Sequence, residues 1–205
     1  MSAVVGVPRR SLPVGSIGSH AAGWWGIICA VLTEGALFGY LLFSYFYFAI
    51  QPRQIAFPPQ LPSLWLAAPN TMILLASSVA VWQGERGARR GSRSRQVMGI
   101  GLGFLLGATF LGVQMLEWHD QPFGLNSSAY GSLFLTITGF HMAHLVLGLL
   151  ILLPLTVWSA LGYFGPRHSA PISIGAIYWH FVDAVWLAVF FTLYITPYLG
   201  LRHGP

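Results

Sequence analysis

The sequence predicts an all-α, polytopic membrane protein built as a bundle of five transmembrane helices. Of its 205 residues, 55% are hydrophobic and only 7% are charged, whereas soluble domains carry roughly 25% charged residues. Five apolar runs are each long enough for a span of about 20 residues. Little chain is left for a soluble domain, so we predict one membrane domain over 24–200, between a cytoplasmic tail (1–23) and a short outer tail (201–205).

The first span is predicted at 24–50, because this apolar run is longer than the core of a cleaved signal peptide. A loop follows it, marked by four prolines that cannot continue a helix: Pro52, Pro58, Pro59 and Pro62. The other spans are predicted at 64–83, 97–118, 129–158 and 172–199. In the third span, Gly99, Gly103 and Gly107 share one face, which predicts close approach of another helix. Tryptophans near the span ends are predicted to anchor the membrane interface: Trp24, Trp25, Trp65, Trp118 and Trp158.

The basic residues indicate the orientation in the membrane. All ten are arginines, and most lie in short segments between apolar runs, which argues for membrane topology and against nucleic-acid binding. The predicted loop at 84–96 holds Arg86, Arg89, Arg90, Arg93 and Arg95, which also suit phospholipid headgroups. With this loop in the cytoplasm, eight arginines lie inside and two, Arg53 and Arg202, outside. The N-terminus is therefore predicted in the cytoplasm and the C-terminus outside.

Five ionisable residues are predicted at membrane depth, where they are costly and usually paired or functional. They are Glu34, His141, His144, His180 and Asp183. The residues His141 and His144 are three apart, as are His180 and Asp183, so each pair shares a helix face. Asp183 and the His141/His144 pair lie roughly 15 to 20 Å from their span starts, so the two faces could meet. Glu117 is predicted at the outer end of the third span, largely in contact with water.

Three interpretations of this buried polar cluster remain open on spacing alone. The first is a hydrogen-bond network between helices in which Asp183 accepts from a histidine N–H. The second is a metal site, because HxxH facing HxxD supplies ligands that suit iron or zinc. The third is a proton or ion path that uses Glu34 and Asp183. The single cysteine, Cys29, excludes a disulfide or a thiolate cluster within the chain.

Several longer motifs carry a resemblance to a known family. In chain order they are EGALFGYLLFSYFYFA, NTMILLASSVAVW, GATFLGVQMLEWHD, YGSLFLTITGFHMAHLVLGLLIL and YWHFVDAVWLAVFFTLYI. The sequence resembles subunit III of the haem-copper terminal oxidases, in the five-helix bacterial form that lacks the first two helices of longer members. The resemblance implies an accessory subunit that holds no haem or copper, packs against the catalytic subunit I and can bind phospholipid.

Carried over by position, Glu34 resembles the family's buried carboxylate near a lipid cleft. His141, His144, His180 and Asp183 resemble its internal polar cluster, with no metal among them, so the resemblance favours a helix-linking role. Tyr178, Trp179, Phe181 and Trp186 match the surrounding aromatic residues. Mitochondrial-type members have a glutamate where this sequence has Ser173. The YWHFVD motif is closer to the cytochrome c branch than to the quinol branch.

The sequence thus predicts a non-catalytic subunit of a proton-pumping oxygen reductase, most simply cytochrome c oxidase, in a bacterial inner membrane. Haem and copper are expected in partner chains, and the expected partners are subunits I and II, a small subunit IV and phospholipids. Two alternatives are the accessory subunit of a nitric oxide reductase, which shares the TGFH and YWH motifs, and a stand-alone proton-coupled transporter.

Overall fold

The computed structural model describes residues 22–50, 64–120, 124, 128–164 and 169–199. Five helices run in order: α1 (Ala22–Ala49), α2 (Leu64–Arg89), α3 (Arg93–His119), α4 (Ala129–Leu161) and α5 (Ala170–Phe190). The last helix continues into a π-helical turn (Phe191–Ile195) and a 3₁₀ turn (Thr196–Leu199). All five are long and apolar enough to cross a membrane, and the described ranges contain no strand. The predicted all-α five-helix architecture is confirmed.

The prediction of a loop over 84–96 is wrong. Helix α2 continues to Arg89 and α3 begins at Arg93, so only a tight turn separates them, with Gly91 at a φ of 73° that favours glycine. Arginine and glutamate are good helix formers, and the Glu85–Arg89 ion pair of 2.6 Å lies one helical turn apart. Hydropathy marks where a segment becomes polar, which here is not where its helix ends. Helix α1 begins at Ala22, within the predicted tail 1–23. Residues 1–21, 51–63 and 200–205 and the other five arginines lie outside the described residues.

Helices α2 and α3 form the most extensive pair in the bundle. A Cβ atom placed on Gly99 would lie 2.5 Å from the Cα of Gly84, so the two backbones touch because both positions are glycine. Gly103 packs against Val81, and a Cβ on Gly107 would come within 2.6 Å of the Trp179 ring. The predicted glycine ridge is therefore confirmed, with two partners on α2 and one on α5.

Helices α2 to α5 pack in a ring, since α2 also contacts α5, while α1 lies outside against α4 and α5. The core is centred on large buried rings, among them Trp179, Trp186 and Phe110. Much of α1 remains uncovered, and its apolar side chains suit a lipid or a partner subunit. Of the predicted interfacial tryptophans, Trp25, Trp65 and Trp158 are exposed, whereas Trp118 packs against the core.

Candidate functional site

One group of polar contacts joins α1 to α4 and α5. Nε2 of His144 lies 2.9 Å from Oε2 of Glu34, and Nδ1 of the same ring lies 2.6 Å from the carbonyl oxygen of Phe140. The side chain of His144 is 14% exposed and that of Glu34 is 37% exposed. The hydroxyl of Tyr178 on α5 donates to the carbonyl oxygen of His144, 3.4 Å away. Three helices therefore meet at this histidine.

The geometry limits the Glu34–His144 pair to two proton arrangements. A carbonyl oxygen can only accept, so Nδ1 of His144 must carry a proton to donate to Phe140. The contact between Nε2 and the carboxyl group then needs one further proton, held either by the ring or by Glu34. The pair is an ion pair in the first case and a neutral carboxyl–imidazole hydrogen bond in the second. Either form links α1 to the bundle.

A second group of polar side chains joins α2 to α5. Oγ of Ser78 lies 2.6 Å from Nδ1 of His180. Asp183, one turn further along α5, is only 4% exposed, and neither of its carboxylate oxygens has a hydrogen-bond partner within bonding geometry among the described residues. Ser78 is the polar side chain beside it. Ser78 hydrogen-bonds to His180 and lies beside Asp183, so the three side chains form one polar group between α2 and α5.

The ring of His141 is fully buried, and neither of its nitrogens has a hydrogen-bond partner among the described residues. Aromatic side chains surround it: its centroid lies 4.9 Å from Trp186, 6.3 Å from Phe110 and 6.5 Å from Phe38. The imidazole is therefore packed as one ring in an aromatic cluster.

The predicted cluster of four residues is thus divided. His144 pairs with Glu34, His180 with Ser78, and His141 lies among aromatic rings. The predicted hydrogen bond from a histidine N–H to Asp183 is absent among the described residues. These residues also contain no group of three or more His, Cys, Asp or Glu side chains placed to hold a metal ion. His144 further uses both ring nitrogens in protein contacts, which leaves it no nitrogen for a ligand.

The indole hydrogen bonds between α5 and α2 were not predicted. Nε1 of Trp179 donates to Oγ of Ser77 over 3.0 Å, and Nε1 of Trp186 donates to Oγ1 of Thr71 over the same distance. A buried indole N–H needs an acceptor, and small hydroxyl residues on a neighbouring span are the available kind. The signal was present in the sequence as Thr71, Ser77 and Ser78, which lie in an otherwise apolar run.

Glu117 corrects a prediction. Its side chain was expected in contact with water, but the residue is only 6% exposed. Oε1 accepts from the hydroxyl of Tyr194 over 2.8 Å, and Oε2 accepts from Nε2 of Gln114 over 3.0 Å. Tyr194 lies in the π-helical turn. Pro197 has no N–H to donate to the carbonyl of Leu193, so the regular helix is interrupted at this level.

The five predicted arginines lie together at one end of α2 and α3. Arg89 pairs with Glu85, and Arg93 donates to the carbonyl oxygen of Ala160 on α4. The guanidinium of Arg86 lies 3.7 Å above the Trp82 ring. Arg90 and Arg95 are exposed.

Together, the fold and these contacts define an integral membrane helix bundle in which Glu34–His144, Ser78–His180 and Glu117–Tyr194 contacts join one element to another. Comparison with known proteins gives the family. The family model described as cytochrome c oxidase subunit III matches residues 19–198. Cytochrome c oxidase subunit 3 of Drosophila yakuba is 33% identical over 182 residues, covering 83% of this chain and 68% of the relative.

The proteins of the same name from Marchantia polymorpha and Gallus gallus are 32% and 31% identical, each over 83% of this chain and over 67% and 68% of the relative. The chain belongs to the cytochrome c oxidase subunit III family. The resemblance read from the motifs is confirmed. The matches support the predicted role as an accessory subunit of cytochrome c oxidase, part of a multi-subunit complex, and favour neither the nitric oxide reductase nor the transporter alternative.

Proposed function

We propose that this chain is a non-catalytic subunit that supports the oxygen-reducing subunit I of a proton-pumping cytochrome c oxidase. Haem and copper are held by other subunits, and this chain holds neither. The observation that carries the proposal is that the intramembrane ionisable side chains Glu34, His144 and Glu117 are used in helix-to-helix contacts. Groups arranged in this way stabilise a bundle and do not converge on a ligand.

The remaining polar residues support the same role. His180 and Asp183 lie with Ser78 between α2 and α5, and in this proposal they fix those helices against each other. The alternative use of Asp183 or Glu34 as a proton carrier would need a chain of polar groups or water leading to each carboxylate. His141 adds no link to such a chain, because aromatic rings surround it and its nitrogens make no hydrogen bond among the described residues.

In the membrane, we place the arginine-rich end of α2 and α3 on the cytoplasmic side of a bacterial inner membrane. Positively charged residues favour the cytoplasmic side, and the five-helix form matched by the motifs is the bacterial one. Subunit I is the expected neighbour through the exposed apolar faces, with subunit II, a small subunit IV and phospholipids as further partners and cytochrome c as electron donor.

Co-purification tests this function. The tagged chain, extracted in a mild detergent, should bring down a complex with haem-copper oxidase spectra and cytochrome c oxidase activity. Elemental analysis of the separated chain should find no stoichiometric iron, copper or zinc. A nitric oxide reductase, or no redox partner, in the purified material would contradict the proposal, as would one tightly held metal per chain that is lost on changing His141 or His180.

A further inference from the structure

A long groove runs along the outer face of the α2–α3 pair. Its volume is about 830 Å³, and its walls are mainly apolar, with Ala76, Val79, Met98, Leu102 and Leu105 among the lining residues. The groove lies away from Glu34, because α1 packs on the opposite side of the bundle against α4 and α5. Small residues on its lining, including Ala80, Gly87 and Gly99, give it depth.

One end of the groove is strongly positive. Arg86, Arg90 and Arg95 line it there together with Gln83, and all three arginines are exposed. Arg86 is held over the Trp82 ring by a cation–π contact, which fixes its guanidinium at the groove. Guanidinium groups present several N–H donors in a planar fork that suits phosphate oxygens.

The chain supplies no anion to balance these three charges. It has five acidic residues in all, and each is placed elsewhere: Glu34 with His144, Glu85 with Arg89, Glu117 with Tyr194, Asp120 with His119, and Asp183 buried on α5. An anion from outside the chain is therefore the complementary partner at this end.

The dimensions of the apolar part match one leaflet of a bilayer. From Arg95 to Leu105 the groove follows α3 for about 15 Å, at 1.5 Å per residue. Half of a hydrocarbon core about 30 Å thick is the same length. A molecule with an anionic head at the interface and an extended hydrocarbon tail would fit both ends at once.

We propose that the α2–α3 groove binds one anionic phospholipid. Its headgroup phosphate lies among Arg86, Arg90 and Arg95, and an acyl chain lies along Val79, Met98 and Leu102. This proposal requires only that the chain crosses a membrane. It does not depend on the proposed role in the oxidase.

The test uses phosphatidylglycerol that carries a photoreactive diazirine in an acyl chain, added to the intact complex in phosphatidylcholine nanodiscs. Labelled peptides should contain Val79, Met98 or Leu102. Unlabelled phosphatidylglycerol should compete, whereas extra phosphatidylcholine and inorganic phosphate should not. Each interfacial arginine contributes roughly a fivefold preference for anionic lipid, so replacing Arg86, Arg90 and Arg95 with glutamine should lower labelling by about a hundredfold.

Two further variants keep the result interpretable. Arg89→Gln removes one charge from the same end, but Arg89 is paired with Glu85 and does not line the groove, so its labelling should fall by no more than about fivefold. Ala76→Trp fills the apolar part from an exposed position, so labelling should fall without any loss of charge. Equal competition by phosphatidylcholine, or full labelling of the triple arginine variant, would overturn the proposal. Labelling of a partner subunit in place of the groove peptides would also overturn it.

Discussion

At the scale of single residues, the sequence indicated which side chains matter inside the membrane but not which of them meet. His141 and His144 are three positions apart, and three residues turn a helix through about 300°, which leaves the two side chains about 60° apart. That angle is enough for His144 to reach Glu34 on α1 while His141 faces Trp186 on α5. Pairing between spans depends on helix rotation and depth, which residue spacing within one span does not fix.

The Glu34–His144 pair gives a prediction at this scale. Glu34→Gln should assemble nearly normally, because the amide can donate to the unprotonated Nε2 of His144. Glu34→Leu leaves that nitrogen without a partner and should cost about 1 to 3 kcal/mol. The measurement is the thermal unfolding of the purified complex, together with the amount of this chain retained in it.

The double variant Glu34→Leu/His144→Leu is the control for this pair. It removes both partners, so its loss should be smaller than the sum of the two single losses. Strict additivity, or equal stability of Glu34→Gln and Glu34→Leu, would show that the contact does not hold α1 to the bundle.

At the scale of the elements, hydropathy predicted that each helix is present but did not predict where the helix ends. Helices α2 and α3 each extend beyond their apolar runs into arginine-rich segments. The π-helical turn was also not predicted, and it is the element that carries Tyr194 to Glu117. Its one sequence signal is Pro197, and a proline predicts an interruption without specifying its geometry.

The α2–α3 contact gives the prediction at this scale. Gly99→Ala adds a methyl group where the backbone of Gly84 already lies in contact, so it should destabilise the protein by about 1 to 3 kcal/mol. Gly112→Ala is the matched control on the same helix, because a Cβ there meets nothing within 4 Å. Alanine favours a helix over glycine by up to about 1 kcal/mol, so this control should be neutral or stabilising. Equal thermal stability of the two variants would argue against the glycine contact.

At the scale of the whole molecule, the five-helix architecture was predictable because apolar runs of spanning length are rare except in membrane helices. The ring of α2 to α5 with α1 outside was not predictable, since it rests on contacts such as those of Trp179 with Ser77 and Gly107. The family could be recognised from its sequence motifs. Residues of those motifs, such as Trp179, are buried because they make these contacts.

Orientation is testable directly. The arginine distribution predicts the N-terminus in the cytoplasm and the C-terminus outside. A periplasm-active reporter fused after Pro205 should therefore be active, and a cytoplasm-active reporter at the same site should be silent. The reverse pattern would contradict the assigned orientation, because five spans place the two ends of the chain on opposite sides.

The central claim is that this chain supports a redox centre that other subunits build. The most direct measurement is to remove the chain from the assembled oxidase and record haem spectra and oxygen consumption over sustained turnover. The account predicts unchanged spectra and an initial rate close to that of the intact enzyme, followed by progressive loss of activity. Immediate and complete loss of oxygen reduction, with altered haem spectra, would contradict it and show that this chain helps to form the redox site.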